Sequence, residues 1–223
     1  MSPLALFGLA AFSFVASHFI MSHPLRAGLV AKLGERGFLI AYTVVSFATL
    51  GWTIWAFGRV PAEAPLWVAD EAAWLVASLL MWLGSILFIG SLRGNPSFPS
   101  AGMRIHMPTP RGVFAITRHP MMFGFALWAI VHMIVAATPA GLILAGAIGF
   151  LALVGAALQD GKKTRLMGEA WEGWRVRTSF VPFGRGAANP GTFALVGGTI
   201  LFFAATWAHQ PYGAAAGFWR WLG

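Results

Sequence analysis

Six apolar runs, at 3–22, 37–58, 72–91, 120–137, 140–158 and 192–208, dominate this chain. Each is of the length a helix needs to cross hydrocarbon roughly 30 Å thick at about 1.5 Å per residue. In lipid the backbone polar groups must be satisfied within the segment, so the runs predict an all-α polytopic membrane protein: a bundle of six transmembrane helices forming one domain over 1–223. Composition agrees, because 58% of the residues are hydrophobic and only 10% charged. A soluble globule carries about a quarter charged residues, and this chain cannot clothe itself in polar surface.

Charge placement tests the helix count independently. Arg26, Lys32 and Arg36 follow the first run; Arg93, Arg104, Arg111 and Arg118 follow the third; Lys162, Lys163, Arg165, Arg175, Arg177 and Arg185 follow the fifth. Thirteen of the fifteen basic residues therefore fall in alternate loops, and only Arg59 and Arg220 lie on the other side, with Glu63, Asp70 and Glu71. The positive-inside bias then puts both termini outside the cytoplasm, periplasmic in a bacterial inner membrane. The first run has no basic residue ahead of it and no small-residue cleavage site before Ser22-His23-Pro24-Leu25-Arg26, so it reads as a retained helix.

The net charge of +8 does not indicate a nucleic-acid partner, because no polar domain presents a basic face. The expected partners are the lipid bilayer and an apolar or lipid-like small molecule; the sequence sets no oligomeric state. With no cysteine there is no disulfide, thiolate nucleophile or Cys-ligated metal, so histidine must carry any metal chemistry. Two loops on the basic side, 92–119 and 159–191, are long enough to hold structure. Within the second, 161–177 is basic and amphipathic with Trp171 and Trp174 among its charges. It reads either as an interfacial helix lying on the headgroups or as the cover of a cytoplasm-facing pocket. The segment 211–223 reads as an interfacial tail anchored by Trp219 and Trp221.

Ionisable groups inside a span are expensive and point to function. His18 in the first run and His132 in the fourth qualify, either as interhelical hydrogen-bond donors or as neutral imidazoles available to a haem iron or other metal. His23 lies one turn beyond His18 at the interface; His106 and His209 also read as interfacial. Thr117-Arg118-His119-Pro120 opens the fourth run, where free amides and basic side chains would favour a carboxylate or phosphate. His119 and His132 cannot share a metal on a regular helix, being roughly 20 Å apart along it.

The stretch from Gly112 through Thr117-Arg118-His119-Pro120-Met121-Met122-Phe123-Gly124 to His132 resembles the signature of the NnrU family of bacterial inner-membrane proteins. His18 with Leu25-Arg26 and Gly34-Glu35-Arg36 resembles the family's N-terminal pattern. Asp160, Met167-Gly168-Glu169-Ala170-Trp171 and Thr178-Ser179-Phe180-Val181-Pro182-Phe183 resemble its C-terminal one. That family is similar to 15-cis-zeta-carotene isomerase, which uses haem b in a redox-dependent cis–trans isomerisation. The resemblance implies a haem b protein with an isomerase, redox or nitric-oxide-related role on an apolar ligand, or a non-catalytic accessory factor of denitrification. It implies His18 and His132 as the haem ligands, His119 as a third shared histidine with Arg118 beside it, and His23 as the substitute for His18.

A second resemblance is to the membrane methyltransferases that act on isoprenylcysteine and phospholipids, and it implies S-adenosylmethionine as the alternative cofactor. It rests on Arg118-His119-Pro120 at a helix start, the following helical hairpin, an acid and a late Val-Pro. Here Met121-Met122 replaces the usual Tyr, and Gln159-Asp160 the paired Glu. The haem assignment meets one difficulty in the sequence itself. Counted along regular helices, His18 lies about 7–10 Å from the cytoplasmic surface and His132 about 18 Å, whereas two ligands on one iron hold their nitrogens about 4 Å apart.

Overall fold

A computed structural model of the chain describes residues 1–97, 107–210 and 215–222. His106 and Arg104, expected in a basic loop, lie outside the described residues. The chain is all helical, with no strand among the described residues: α1 Pro3–Ser22, α2 Arg26–Phe57, α3 Glu71–Ser91, α4 Val113–Ile116, α5 Pro120–Val135, α6 Pro139–Met167, α7 Glu169–Arg177, α8 Thr192–Trp207, and a terminal 3-10 turn Gly217–Trp221.

All six apolar runs are helical, but only α1, α2, α3 and α6 are long and apolar enough to cross a membrane. α5 and α8 hold 16 residues each, about 24 Å. Proline sets the limit of α5. Pro139 starts α6 and disfavours a helical residue before it, so Thr138 is extended and α5 ends at Val135. Thr138 then caps α6 by accepting from Gly141 N at 3.0 Å. Two helices outrun their apolar segments. α2 begins at Arg26 instead of 37, with a break at Gly34 (φ 70°), and α6 continues past 158 until Gly168 takes a positive φ of 54°.

Small residues bring the helices together. A Cβ added to Gly198 of α8 would sit 2.5 Å from Ile86 Cα of α3, and one on Gly124 of α5 would sit 2.9 Å from Gly84 O of α3. α3 thus packs between α5 and α8, while α6 links α5 to the α1–α2 hairpin. Alanines such as Ala10, Ala56, Ala129 and Ala145 fill the interfaces, whereas Phe12, Phe47 and Ile200 face outward. That inversion suits lipid, where close packing of small residues replaces the hydrophobic drive between helices.

The paired residues set the helix directions. Phe7 meets Phe57, so α1 and α2 are antiparallel; Phe19 meets Phe150, so α1 and α6 run parallel. Trp82 donates to Thr199 Oγ1 at 2.8 Å, and Gly90 approaches Ala194, so α3 and α8 are antiparallel. The end of α6 consequently meets the turn between α1 and α2. Burial, then the charges of Arg26, Lys163 and Arg165, lowers Lys162 to about 8. This is the basic end of the bundle.

One expectation for the loops needs correction. Trp171 and Trp174 of α7 do not sit in headgroups: they are fully buried, packed with Met107, Val113, Phe114, Ile116 and Ile86 beneath the basic end. Burying two indoles turns α7 into part of the protein's cap. The terminal tail docks onto protein as well. Trp219 Nε1 donates to Phe203 O (3.1 Å), Trp221 Nε1 to Glu71 Oε2 (3.1 Å), and Arg220 pairs with Glu71 at 2.6 Å.

Candidate functional site

Two groups of chemistry-bearing residues lie at opposite ends of the bundle. At the basic end, α5 begins directly after His119, with Pro120 in its first turn. Backbone pairing fixes this start: Arg118 N donates to Ser179 O (2.8 Å), Thr117 Oγ1 to Phe180 O (2.6 Å) and Phe183 N to Ile116 O (3.0 Å). The segments around 116–120 and 178–183 are thereby held side by side.

The side chains of Arg118 and His119 converge on Asp160 of α6. Arg118 Nε donates to both carboxylate oxygens at 3.1 and 2.9 Å, its guanidinium Nη2 donates to Oδ2 as well, and His119 Nε2 lies 2.8 Å from Oδ1. Arg118 also stacks over Phe180, 5.2 Å from the ring centre. Asp160 sits beyond the apolar stretch that ends at 158. Burial alone would raise it, but the hydrogen bonds from His119 and Arg118 and the charge beside it outweigh that effect and hold it at about 2. The anion expected at this helix start is therefore the chain's own carboxylate. Four buried polar atoms nearby, Ser97 Oγ, His119 Nδ1, Trp171 Nε1 and Trp174 Nε1, have no hydrogen-bond partner among the described residues.

At the opposite end, α3, α5 and α8 line a half-open cavity of about 350 Å³ whose apolar wall includes Met81, Phe88, Phe125, Trp128 and Phe202. His132 and His209 are on the same wall, and their ring centres are 6.2 Å apart. Each Nδ1 lies on the carbonyl one turn back, His132 on Trp128 O (2.8 Å) and His209 on Ala205 O (2.7 Å). A carbonyl only accepts, so each ring donates from Nδ1. Trp128 stacks on His132 with ring centres 3.9 Å apart, which fixes the imidazole plane.

The expected partner of His132 lies elsewhere. His18, near the end of α1, donates Nδ1 to Phe14 O (2.7 Å) and packs edge-on against Tyr42 of α2. α1 packs on α2 and α6, while α5 packs on α3 and α6. Because α5 does begin at Pro120 and α1 ends at Ser22, the depth difference read from the sequence remains: His18 is near the basic end and His132 near the other. The structure does not bring this pair together. His23 follows α1 at the basic end, where burial and the charges of Lys162 and Arg165 lower its pKa.

Asp160 and His209 are the residues that a site built from sequence alone leaves out. A depth count finds His209: α5 and α8 run in the same direction, and His132 and His209 both stand within one turn of a helix end. Among the described residues no group of three or more His, Asp or Glu converges as a metal site. No curated protein and no solved structure matches the chain. A family model described as NnrU protein matches residues 6–216, nearly the whole length, and the chain belongs to the NnrU family.

Proposed function

We propose that this NnrU protein crosses the bacterial inner membrane six times, with both termini periplasmic, and holds haem b in the cavity between α3, α5 and α8. There it serves an isomerase or redox role on an apolar ligand. One observation carries the reading: His132 lines an apolar cavity and donates from Nδ1 to a backbone carbonyl, the arrangement in which an imidazole ligates iron through Nε2. His132 supplies an imidazole donor, and the cavity is in the size range of small-molecule sites; no Lys or Arg lines it, so a group as large as haem would extend through its open side with its carboxylates outside. Bound haem would supply a redox-active iron whose potential depends on its axial ligands and apolar surroundings. The protein's part is to orient His132 through Trp128 O, exclude water with aromatic walls, and admit an apolar ligand from the bilayer.

The two 16-residue helices fit this proposal if the bilayer thins locally or their flanks reach the interface. Protein purified in mild detergent from haem-replete cells is expected to show a Soret band and sharp visible bands on reduction. A colourless preparation contradicts the haem reading.

The second reading is a membrane methyltransferase using S-adenosylmethionine at the basic end. The unpartnered His119 Nδ1, Trp171 Nε1 and Trp174 Nε1 favour it, since buried polar atoms without partners mark places where a polar ligand would be satisfied. Titration of the purified protein with S-adenosylmethionine separates the two. Failure to bind either cofactor leaves the non-catalytic accessory role.

A further inference from the structure

We propose that the basic end of the bundle, where the turn between α1 and α2 meets the last turns of α6, is a binding site for the phosphate headgroup of an anionic phospholipid. Four side chains make it: His23 after α1, Arg26 at the start of α2, and Lys162 and Arg165 on α6. The charges that act on Lys162 are all cations, Arg26, Lys163 and Arg165, and those that act on His23 are Lys162 and Arg165. The chain offers little to balance them. Glu35 pairs with Arg26 at 3.0 Å but is exposed, and Asp160, the acid nearest Lys162 in sequence, is taken up by Arg118 and His119. Among the described residues neither Lys162 nor Arg165 has a carboxylate within ion-pair distance. A solvated basic face would keep its cations in water, yet Lys162 is partly buried, and burial with the neighbouring cations lowers it to about 8. Gathered cations that lack an acid of their own suit a phosphate, whose oxygens can accept from several of them at once.

The surroundings select a lipid over a dissolved ion. α1 and α6 run parallel and meet through Phe19 and Phe150, ring centres 5.9 Å apart, so a seam between them leads from the cluster toward the middle of the bundle. Leu158 stands one turn before Lys162 on the same face of α6 and is exposed. Leu25 beside Arg26, and Ile20 and Phe150 further along the two helices, are exposed as well. Cations at the end of the seam and apolar surface along it match a phosphate with acyl chains beneath. A zwitterionic headgroup would bring an ammonium against the same cations and gain less. The site lies at the opposite end from His132 and is independent of what fills the cavity there.

The test uses the full-length protein in neutral detergent and follows its melting temperature as phosphatidylglycerol, phosphatidylcholine or inorganic phosphate is added. Phosphatidylglycerol is expected to raise the melting temperature of wild type by several degrees, and the other two to leave it nearly unchanged. Lys162→Gln with Arg165→Gln should melt no lower than wild type without lipid, since like charges have been removed, yet bind phosphatidylglycerol about tenfold more weakly. Arg111→Gln with Arg185→Gln, which takes the same charge from other loops of the basic side, should keep the wild-type affinity. Arg165 is exposed, so Arg165→Gln alone serves where the double variant does not fold, and it should lose affinity several-fold. No response of wild type to phosphatidylglycerol overturns the site. An equal response to phosphatidylcholine overturns its selection for charge, and an equal response to inorganic phosphate replaces the lipid by a dissolved anion. Equal loss of affinity in the two double variants reduces the site to diffuse attraction and overturns it too.

Discussion

Arg118 Nε donates to both carboxylate oxygens of Asp160, at 3.1 and 2.9 Å, across a gap of more than forty residues in sequence, and both side chains are about nine-tenths buried. That contact ties the start of α5 to the end of α6, and His119 joins it through the same carboxylate. A buried charge is tolerable only while its partner is present.

Removing one partner should therefore cost more than removing both. Asp160→Asn strands the Arg118 guanidinium and is expected to destabilise the protein by about 3–5 kcal/mol, whereas Arg118→Met with Asp160→Asn should recover a substantial part of that loss. Thermal melts of Asp160→Asn, Arg118→Met and the double variant in one detergent measure it. A double variant as unstable as the sum of the singles would contradict the coupling.

The pH dependence of this cluster has a definite sign. Asp160 is held at about 2, below its ordinary value of 3.8, so the stability it contributes is fully present above about pH 4. It is lost as pH falls through about 2. Melting temperature should accordingly show no inflection from Asp160 between pH 5 and 8, and an acid-induced fall that Asp160→Asn blunts.

Close packing around α3 gives a third expectation. Gly198→Ala places a methyl 2.5 Å from Ile86 Cα, a backbone atom that cannot swing aside. The helices must separate, at a cost of about 1–3 kcal/mol. Gly155→Ala, whose Cβ meets nothing within 4 Å, is the matched control and should be neutral. Equal melting temperatures for the two variants would contradict the α3–α8 packing.

Topology is testable by reporter fusions. With thirteen basic residues on alternate loops, a reporter after Gly223 should lie outside the cytoplasm and one inserted near Asn95 inside. Both reporters on one side would remove the six-span proposal. Single charge removals should change little, because the bias is spread over three loops.

The sequence made some of this legible and hid the rest for physical reasons. Apolar runs and prolines are local signals, so the positions of α1, α3 and α6, the start of α5 at Pro120 and the turn at Thr138-Pro139 could all be read along the chain. The length of α6 could not, because its last turns are polar and are held by Asp160 and by contacts to α7 that no periodicity reveals. Burial of Trp171 and Trp174 was equally hidden: an amphipathic pattern says that one face is apolar, not whether lipid or protein meets it. His209 resembled an interfacial residue for the same reason, and only the shared direction of α5 and α8 brings it to His132.

The central claim is that His132 holds haem in the cavity between α3, α5 and α8, and haem content per chain tests it most directly. Purified wild type, assayed as pyridine haemochrome, should carry about one haem per chain. His132→Ala should lose most of it, while Asp160→Asn, at the other end of the bundle, should keep its haem wherever the protein folds. Wild type without haem, or a His132→Ala protein that holds as much as wild type, would contradict the account.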